Sequence, residues 1–279
     1  VFGSYITAEM AALSKDNKSN STITHVQAQV TDIQFQGNEY HLSLKNQPTL
    51  SAERLVMATG NQAPTAPRPF KGKIEEHPAY FNSPWNLAHI RNIDSKAKIL
   101  IIGAGLTMSD LVATLVKQNH QGRITAISRN GLRPQTHAKP REDGPPRQPF
   151  ENIMADKPDY YNGTLLEIFK DLRLKMAADM AAGGQWHWGF DGIRDCVWQI
   201  WPNFSDADKR SYLRHLRPWY DSHRFRLPPQ TAQILDDSIE RDLLNYQIGN
   251  IISAKDSGGQ LAVKMKLNSD DHPTEHSFD

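Results

Sequence analysis

The sequence contains a single cysteine, Cys196, so it can build neither an intrachain disulfide nor a thiolate cage for a metal. No apolar run is long enough to cross a bilayer, and the mean hydropathy is -0.60. The expectation is a soluble, cytoplasmic chain with no membrane partner. Neither sign of charge dominates: 32 Lys and Arg stand against 31 Asp and Glu, a net charge of +1. That balance disfavours a protein that holds nucleic acid by overall charge, although a local basic patch is still open. Val1–Tyr5 lacks the charged and apolar regions of a secretion signal, and Asn268–Asp279 is polar without a terminating element. Both ends read as interior, and we expect a segment of a longer protein. Within these bounds, 279 residues suffice for one large domain or two ordinary ones.

Residues 25–60 alternate as strands do. Val26, Ala28 and Val30, then Ile33 and Phe35, then Tyr40, Leu42 and Leu44 are spaced by two, with Gly37-Asn38 as the turn. The apolar run Leu55–Gly60 ends in the small residues Ala58, Thr59 and Gly60. Pro64, Pro67, Pro69 and Pro78 then make 61–95 a connector rather than a core element.

The clearest signal lies in residues 98–128. Ile99–Ile102 is a continuous apolar run, as in a strand buried on both faces. Gly103-Ala104-Gly105 follows at once. Met108, Leu111, Val112, Leu115 and Val116 then form one face of a helix that Gly122 ends, and Arg123–Ser128 is a second strand. This is a βαβ plan. From Pro134 to Pro158 six prolines predict a long irregular loop. Four helices are expected beyond it. One carries Leu165, Ile168, Phe169, Leu172 and Met176, and stops at Gly183-Gly184. A second carries Ile193, Val197, Ile200 and Trp201. A third is capped by Ser205 with Asp208 three residues on, and a fourth begins near Pro229 with Ile234, Leu235 and Ile239. Strands return in Tyr246–Ile252 and Leu261–Leu267 around Ser257-Gly258-Gly259. They repeat the plan of residues 25–60, and the strand matching Leu55–Gly60 is expected past Asp279.

A Gly-x-Gly between a buried strand and a helix has a physical purpose. Gly103 permits the tight turn, Gly105 lets a pyrophosphate approach the backbone, and the helix N-terminus offers free N–H groups to the charge. Met108 replaces the third glycine of the fingerprint, so the βαβ context carries the dinucleotide reading. The competing reading is a phosphate-free strand turn with two convenient glycines. An NAD site would place an acid near the end of the second strand. Ser128-Arg129-Asn130-Gly131 stands there, with Arg133 nearby and no acid. Arg129 therefore favours NADP through the 2′-phosphate, against the plain reading of a solvated loop arginine.

Ala58-Thr59-Gly60 ahead of this unit resembles the strand end of the FAD domain in flavoproteins with two dinucleotide-binding domains. More narrowly, Phe2-Gly3-x-Tyr5, Gly103-Ala-Gly-Leu-Thr-Met, Ile127-Ser-Arg-Asn-Gly-Leu-Arg-Pro, Leu213-Arg-His-Leu-Arg-Pro-Trp and His223-Arg-x-Arg-x-Pro-Pro resemble the bacterial FAD/NAD(P)-binding protein family (YdhS-like) over nearly the whole chain. The resemblance implies FAD and NADP as cofactors. It assigns Thr59 and Gly60 to FAD, and Gly103, Ala104, Gly105, Leu106 and Thr107 with Ser128 and Arg129 to NADP. The first FAD glycine motif of such proteins is absent here and is expected upstream of Val1. The expected fold is α/β, a Rossmann-like doubly wound parallel sheet with a β-meander and a helical insert at about 150–245. Residues 1–95 are expected to be the C-terminal part of an FAD-binding domain plus the connector, and 96–279 the NAD(P)-binding domain. The implied activity is a flavin-dependent oxidoreductase with NADPH as hydride donor, its substrate open between a small molecule and oxygen.

The segment Lys209–Arg226 holds six Lys or Arg and two histidines against one acid, Asp221, and five of the six tryptophans lie in or just before it. Such a mixture can serve single-stranded nucleic acid. We favour a helical subdomain with aromatics in its core and solvated or paired arginines. A middle reading turns Arg217, His223, Arg224 and Arg226 toward the cofactor cleft. A further alternative for the whole chain is a non-catalytic nucleotide-binding or partner-binding module. His272 and His276 flank Pro273 in a polar stretch and are not read as metal ligands. Cys196 is read as a small core residue, and no catalytic side chain is singled out.

Overall fold

The computed structural model describes residues 2–16, 19, 21–60, 63–138 and 162–279, in two compact units, Val1–Gln62 and Ala63–Asp279. Most of the proline-rich stretch from Pro134 to Pro158 lies outside the described residues.

The first unit holds helix α1 (Phe2–Lys15) and an antiparallel meander of β1 (Val30–Gln36), β2 (Glu39–Leu44) and β3 (Gln47–Ala52). Gly37 and Asn38 have φ of +60° and +73°, the two left-handed residues a tight hairpin requires. The turn sets Phe35 opposite Tyr40, with ring centroids 4.8 Å apart. Two expectations fail here. Pairing begins only at Val30, leaving Val26 and Ala28 outside the sheet. The run Leu55–Gly60 is not a strand: no strand pairs with it among the described residues, and Val56 is 86% exposed. Hydrophobicity alone does not make a strand without a neighbour to receive its backbone bonds.

The second unit is built on a five-stranded sheet in the order β4 (Ile99–Ile102), β5 (Ile124–Ser128), β6 (Leu244–Ser257), β7 (Gln260–Leu267) and β8 (Thr274–Phe278). β4, β5 and the start of β6 are parallel, in the register Ile99↔Ile124↔Leu244. The rest of β6 pairs antiparallel with β7, and β7 with β8. This is an α/β, Rossmann-like sheet that runs on into a meander. The switch falls at Gly249, where a Cβ would lie 2.4 Å from the Lys266 carbonyl oxygen, so only glycine lets β7 approach.

Helix α3 (Leu106–Lys117) covers one face of this sheet together with the later helix α8 (Pro229–Glu240). Met108, Val112 and Leu115 of α3 and Leu235 of α8 pack on Ile101, Ile124, Ala126 and Leu244. Residues of β5 alternate between faces, so Ile127 meets a different group: Ala66, Phe70, Val263, Met265 and Phe278. The connector is therefore core after all. Phe70 is 2% exposed and stacks on Tyr80 at 5.3 Å, and residues 63–95, with the short helix α2 (Leu87–Arg91), belong to the second unit.

Three further expectations are corrected. β4 is an edge strand among the described residues, so Ile102 is 46% exposed rather than buried on both sides. Helix α3 stops at Lys117 because Asn119 takes φ +60°. Gly122, expected to end the helix, instead lies against the Lys96-Ala97 backbone. The polar end forms β8, and the Asp279 backbone and carboxylate both bond the Lys98 backbone.

The insert comprises α4 (Leu165–Ala181), α5 (His187–Asn203), α6 (Asp206–Ser211), a π-helical turn at Tyr212–Leu216, and α7 (Arg217–Arg224) ahead of α8. Ser205 caps α6 through the Asp208 N–H at 3.1 Å, as expected. An unforeseen capping box starts α4: Thr164 and Glu167 each receive the other's backbone N–H. Ile168, Cys196, Ile200 and Phe204 form a satellite core, and the Cys196 thiol bonds the Gly192 carbonyl at 3.3 Å. Trp198 and Trp219 are 68% and 56% exposed, against the expectation that the tryptophans are core.

Two predictions follow from this packing. A Cβ on Gly122 would lie 2.0 Å from the Ala97 carbonyl oxygen, so Gly122→Ala should cost about 2–3 kcal/mol in a denaturant melt; no change in midpoint contradicts the tight approach. Burial holds the pKa values of both His120 and His187 below the ordinary imidazole value, with the Arg226 charge adding at His187. The fold therefore disfavours protonating either ring, while the unfolded chain takes up protons more readily as pH falls below about 6.5. The stability this gives is complete above that pH and is lost below it. The melting temperature should drop from pH 7.5 to 5.5, and less steeply in a His120→Gln/His187→Gln variant; identical slopes contradict the assignment.

Candidate functional site

The strand–glycine–helix turn stands at the C-terminal end of β4. Gly103 has φ +106°, a conformation that side chains resist, and its N–H bonds the Ile127 carbonyl at 2.8 Å. Gly105 is the N-cap of α3, and no side chain caps the helix. The N–H groups of the first turn thus lack helical partners and point out of the N-terminus, where the helix dipole favours an anion. A Cβ at Gly103 or Gly105 would meet nothing within 4 Å, so the space in front of the turn is open.

That space is a cavity of about 660 Å³. Gly103, Ala104, Gly105 and Leu106 line one side of it, and Ser128, Arg129 and Asn130 at the end of β5 line the next. The structure thus brings together most of the residues expected to bind NADP. Arg129 is exposed, and no hydrogen bond or ion pair engages it among the described residues. The Ser128 hydroxyl accepts the Gly131 N–H at 3.1 Å, so it shapes the turn that carries Arg129. Gly131 has φ +66° and packs on Ile248. Arg133 turns away, its guanidinium 4.8 Å from the Tyr246 ring centroid.

Thr107 does not line this cavity. It lines a second one of about 520 Å³, with Met108, Leu111, Phe81 and Trp85. Ile102, Gly103 and Gly105 belong to both, so the N-terminus of α3 sits between two hollows. Thr59 and Gly60 lie in the first unit, where both are exposed and Gly60 has φ +70°.

Sequence reasoning missed the far wall of the first cavity. Pro218, Asp221, Ser222 and Phe225 of the α7 segment line it, together with Gly249–Ile251 of β6. The four are spaced i, i+3, i+4, i+7, one face of a helix. That spacing was readable, but nothing local says what the face meets. The basic residues singled out earlier lie elsewhere. Arg226 forks onto Asp191, at 3.0 and 3.3 Å, and bonds the His187 and His223 carbonyls. Arg217 pairs with Asp221 at 3.4 Å. His223 stacks on Phe190 at 4.8 Å and Trp219 at 5.7 Å. Among the described residues, no cluster of His, Cys, Asp or Glu could hold a metal ion, and no helix is long and apolar enough to cross a membrane.

Comparison with known proteins adds to this geometry. Residues 1–62 match the model of a family described as FAD-NAD(P)-binding, in agreement with the resemblance read from the motifs. No curated protein matches the chain. Among solved structures, L-lysine 6-monooxygenase from Pseudomonas syringae is similar at 15% identity over 90% of this chain and 51% of that protein, with a TM-score of 0.53. Ornithine N-hydroxylase from Kutzneria sp. 744, in its structure with reduced FAD, NADP+ and L-ornithine, is similar at 13% identity over 96% of this chain and 55% of that protein, with a TM-score of 0.50. The chain spans about half the length of these neighbours, and the likeness is one of fold, a Rossmann-like α/β architecture.

Proposed function

We propose that residues 96–279, with the connector packed on them, form the NADPH-binding part of a flavin-dependent oxidoreductase of the monooxygenase type, and that residues 1–95 contain part of its FAD-binding domain. The observation that carries the nucleotide reading is the pair of cavities meeting at Gly103 and Gly105. A dinucleotide has two nucleosides joined by a pyrophosphate, and in open α/β sheets it lies across the carboxyl ends of the strands. The pyrophosphate would sit on the uncapped N-terminus of α3, with one nucleoside in each hollow. The side that holds Arg129 takes the adenosine, because among the described residues the lining arginine that could meet a 2′-phosphate stands there.

The residues present fit that group. Gly103 and Gly105 leave its approach open, Ala104 and Leu106 border it, and Thr107 faces the nicotinamide side. Asp221, the one carboxylate lining the first cavity among the described residues, is paired with Arg217, which weakens its repulsion of an anion. For FAD, the family match over residues 1–62 and the resemblance around Thr59 and Gly60 support the assignment. When bound, NADPH supplies hydride and the flavin supplies the redox chemistry that reaches substrate or oxygen. The chain's own work is to orient the nucleotide and cover it. The monooxygenases among the fold neighbours favour oxygen as the electron acceptor and an amine as the substrate class.

Two substitutions separate the parts of this reading. Arg129→Ala should weaken NADPH binding about 10- to 100-fold and leave NADH nearly unchanged, since one charge-assisted contact to the 2′-phosphate is lost. Equal loss for both nucleotides, or none, contradicts the phosphate role. Gly105→Val should weaken NADPH and NADH alike, by at least tenfold, because its side chain fills the approach to the helix N-terminus; unchanged titrations would remove the pyrophosphate from that turn.

A further inference from the structure

The far wall of the first cavity has a chemistry of its own. Among the described residues, Phe70 and Phe225 are the aromatic residues that line the cavity. Phe70 is 2% exposed and already stacked on Tyr80. Phe225 is 51% exposed, with the Arg224 guanidinium 5.7 Å from its ring centroid. An aromatic ring left half in solvent on the wall of a nucleotide-sized hollow can serve as a stacking surface.

Its position is nevertheless fixed. The Phe225 N–H bonds the Asp221 carbonyl at 2.9 Å, and the next residue is the Arg226 held by Asp191. Leu227 is buried in the sheet core. Backbone bonds from Gln135 to Ser222, from Leu227 to Gln135 and from His137 to Leu227 tie this end of the insert to the strap that follows Arg129. The ring and the arginine therefore sit on two segments stapled to each other and open into one cavity.

We propose that Phe225 is the stacking platform for the adenine base, so that the helical insert, and not the sheet alone, completes the nucleotide site. The proposal rests on the NADPH reading above. A 2′-phosphate and the adenine are both substituents of one ribose. If Arg129 meets the first, the second must lie within the same cavity, where Phe225 offers the open ring. Base–aromatic stacking tolerates different bases and is worth about tenfold or more in affinity when the ring is removed.

The test is titration of the chain, followed by tryptophan fluorescence or calorimetry, with two probes: NADPH, and 2′,5′-ADP, which has the base and the 2′-phosphate but no nicotinamide. Phe225→Ala should weaken both about tenfold, while Phe225→Trp, which keeps a stacking face, should bind both within about twofold of the parent. Unaltered binding of both probes to Phe225→Ala overturns the platform. Loss of NADPH with 2′,5′-ADP unchanged also overturns it, since the ring would then serve the nicotinamide end. Because half of the side chain is in solvent, melting curves of both variants should stay close to the parent; a Phe225→Ala variant that does not fold, beside a Phe225→Trp variant that folds and has lost both probes, counts against stacking. Failure of the parent chain to bind either probe instead overturns the NADPH reading itself, which sets the two failures apart.

Discussion

The Arg226–Asp191 fork is the interaction on which the second wall of the first cavity depends. The arginine side chain is 6% exposed and the aspartate 25%, so both charges have left most of their water behind. Such a pair adds little net stability, yet removing one partner strands the other and costs roughly 3–5 kcal/mol. The remaining donors of Arg226 reach the His187 and His223 carbonyls, and its guanidinium carbon lies 5.3 Å from the Trp186 ring centroid. One side chain thus joins the start of α5 to the end of α7. The planar guanidinium can do this because its donors form a rigid fork; a lysine offers a single point charge. With α7 pinned on that side, its opposite face, from Pro218 to Phe225, is turned to the cleft.

Within the cleft, three means of attracting an anion occur close together. The N-terminus of α3 contributes partial charge from unpaired N–H groups, the open turn at Gly103 allows close approach, and Arg129 contributes a full charge that nothing else claims among the described residues. Against these stands Asp221, shared with Arg217. The balance favours a polyanion that spans the cleft over a single small one, since the attractive groups come from two strand ends. This agrees with a dinucleotide better than with a lone phosphate.

The parts of the fold that were legible in the sequence are those governed by local rules. The stripe from Met108 to Val116, the Gly37-Asn38 turn and the Ser205 cap each need only their neighbours to be recognised. Non-local structure was not legible. The pairing of Thr274–Phe278 with Leu261–Met265 depends on a register that a polar stretch does not advertise, and Asn119 ended α3 before the more obvious Gly122 could. The connector misled for a related reason: its prolines break regular structure, but they do not prevent Phe70 from being buried. At the site, the half built on β4, α3 and β5 was readable as a motif. The half built on α7 was not, because a helix face shows its periodicity but not its partner.

The location of that hidden half follows from topology. β5 and β6 are parallel neighbours, so the chain must cross over between them, and this crossover carries the whole insert before α8 returns it to the sheet. The crossover leaves from the end of β5, the point at which Arg129 stands. A subdomain placed in this connection therefore begins and ends beside the first cavity wherever else it extends. The Thr136–Leu227 bridge draws its last turn back against its first residues and converts that proximity into a fixed wall. The basic and aromatic residues of Lys209–Arg226 divide accordingly: Arg226 and His223, with Phe190, bind the helices to one another, and the α7 face between Pro218 and Phe225 lines the first cavity. The sheet can then keep its glycine turn unchanged, while the shape of the cleft is set by residues that do not enter the core of the sheet.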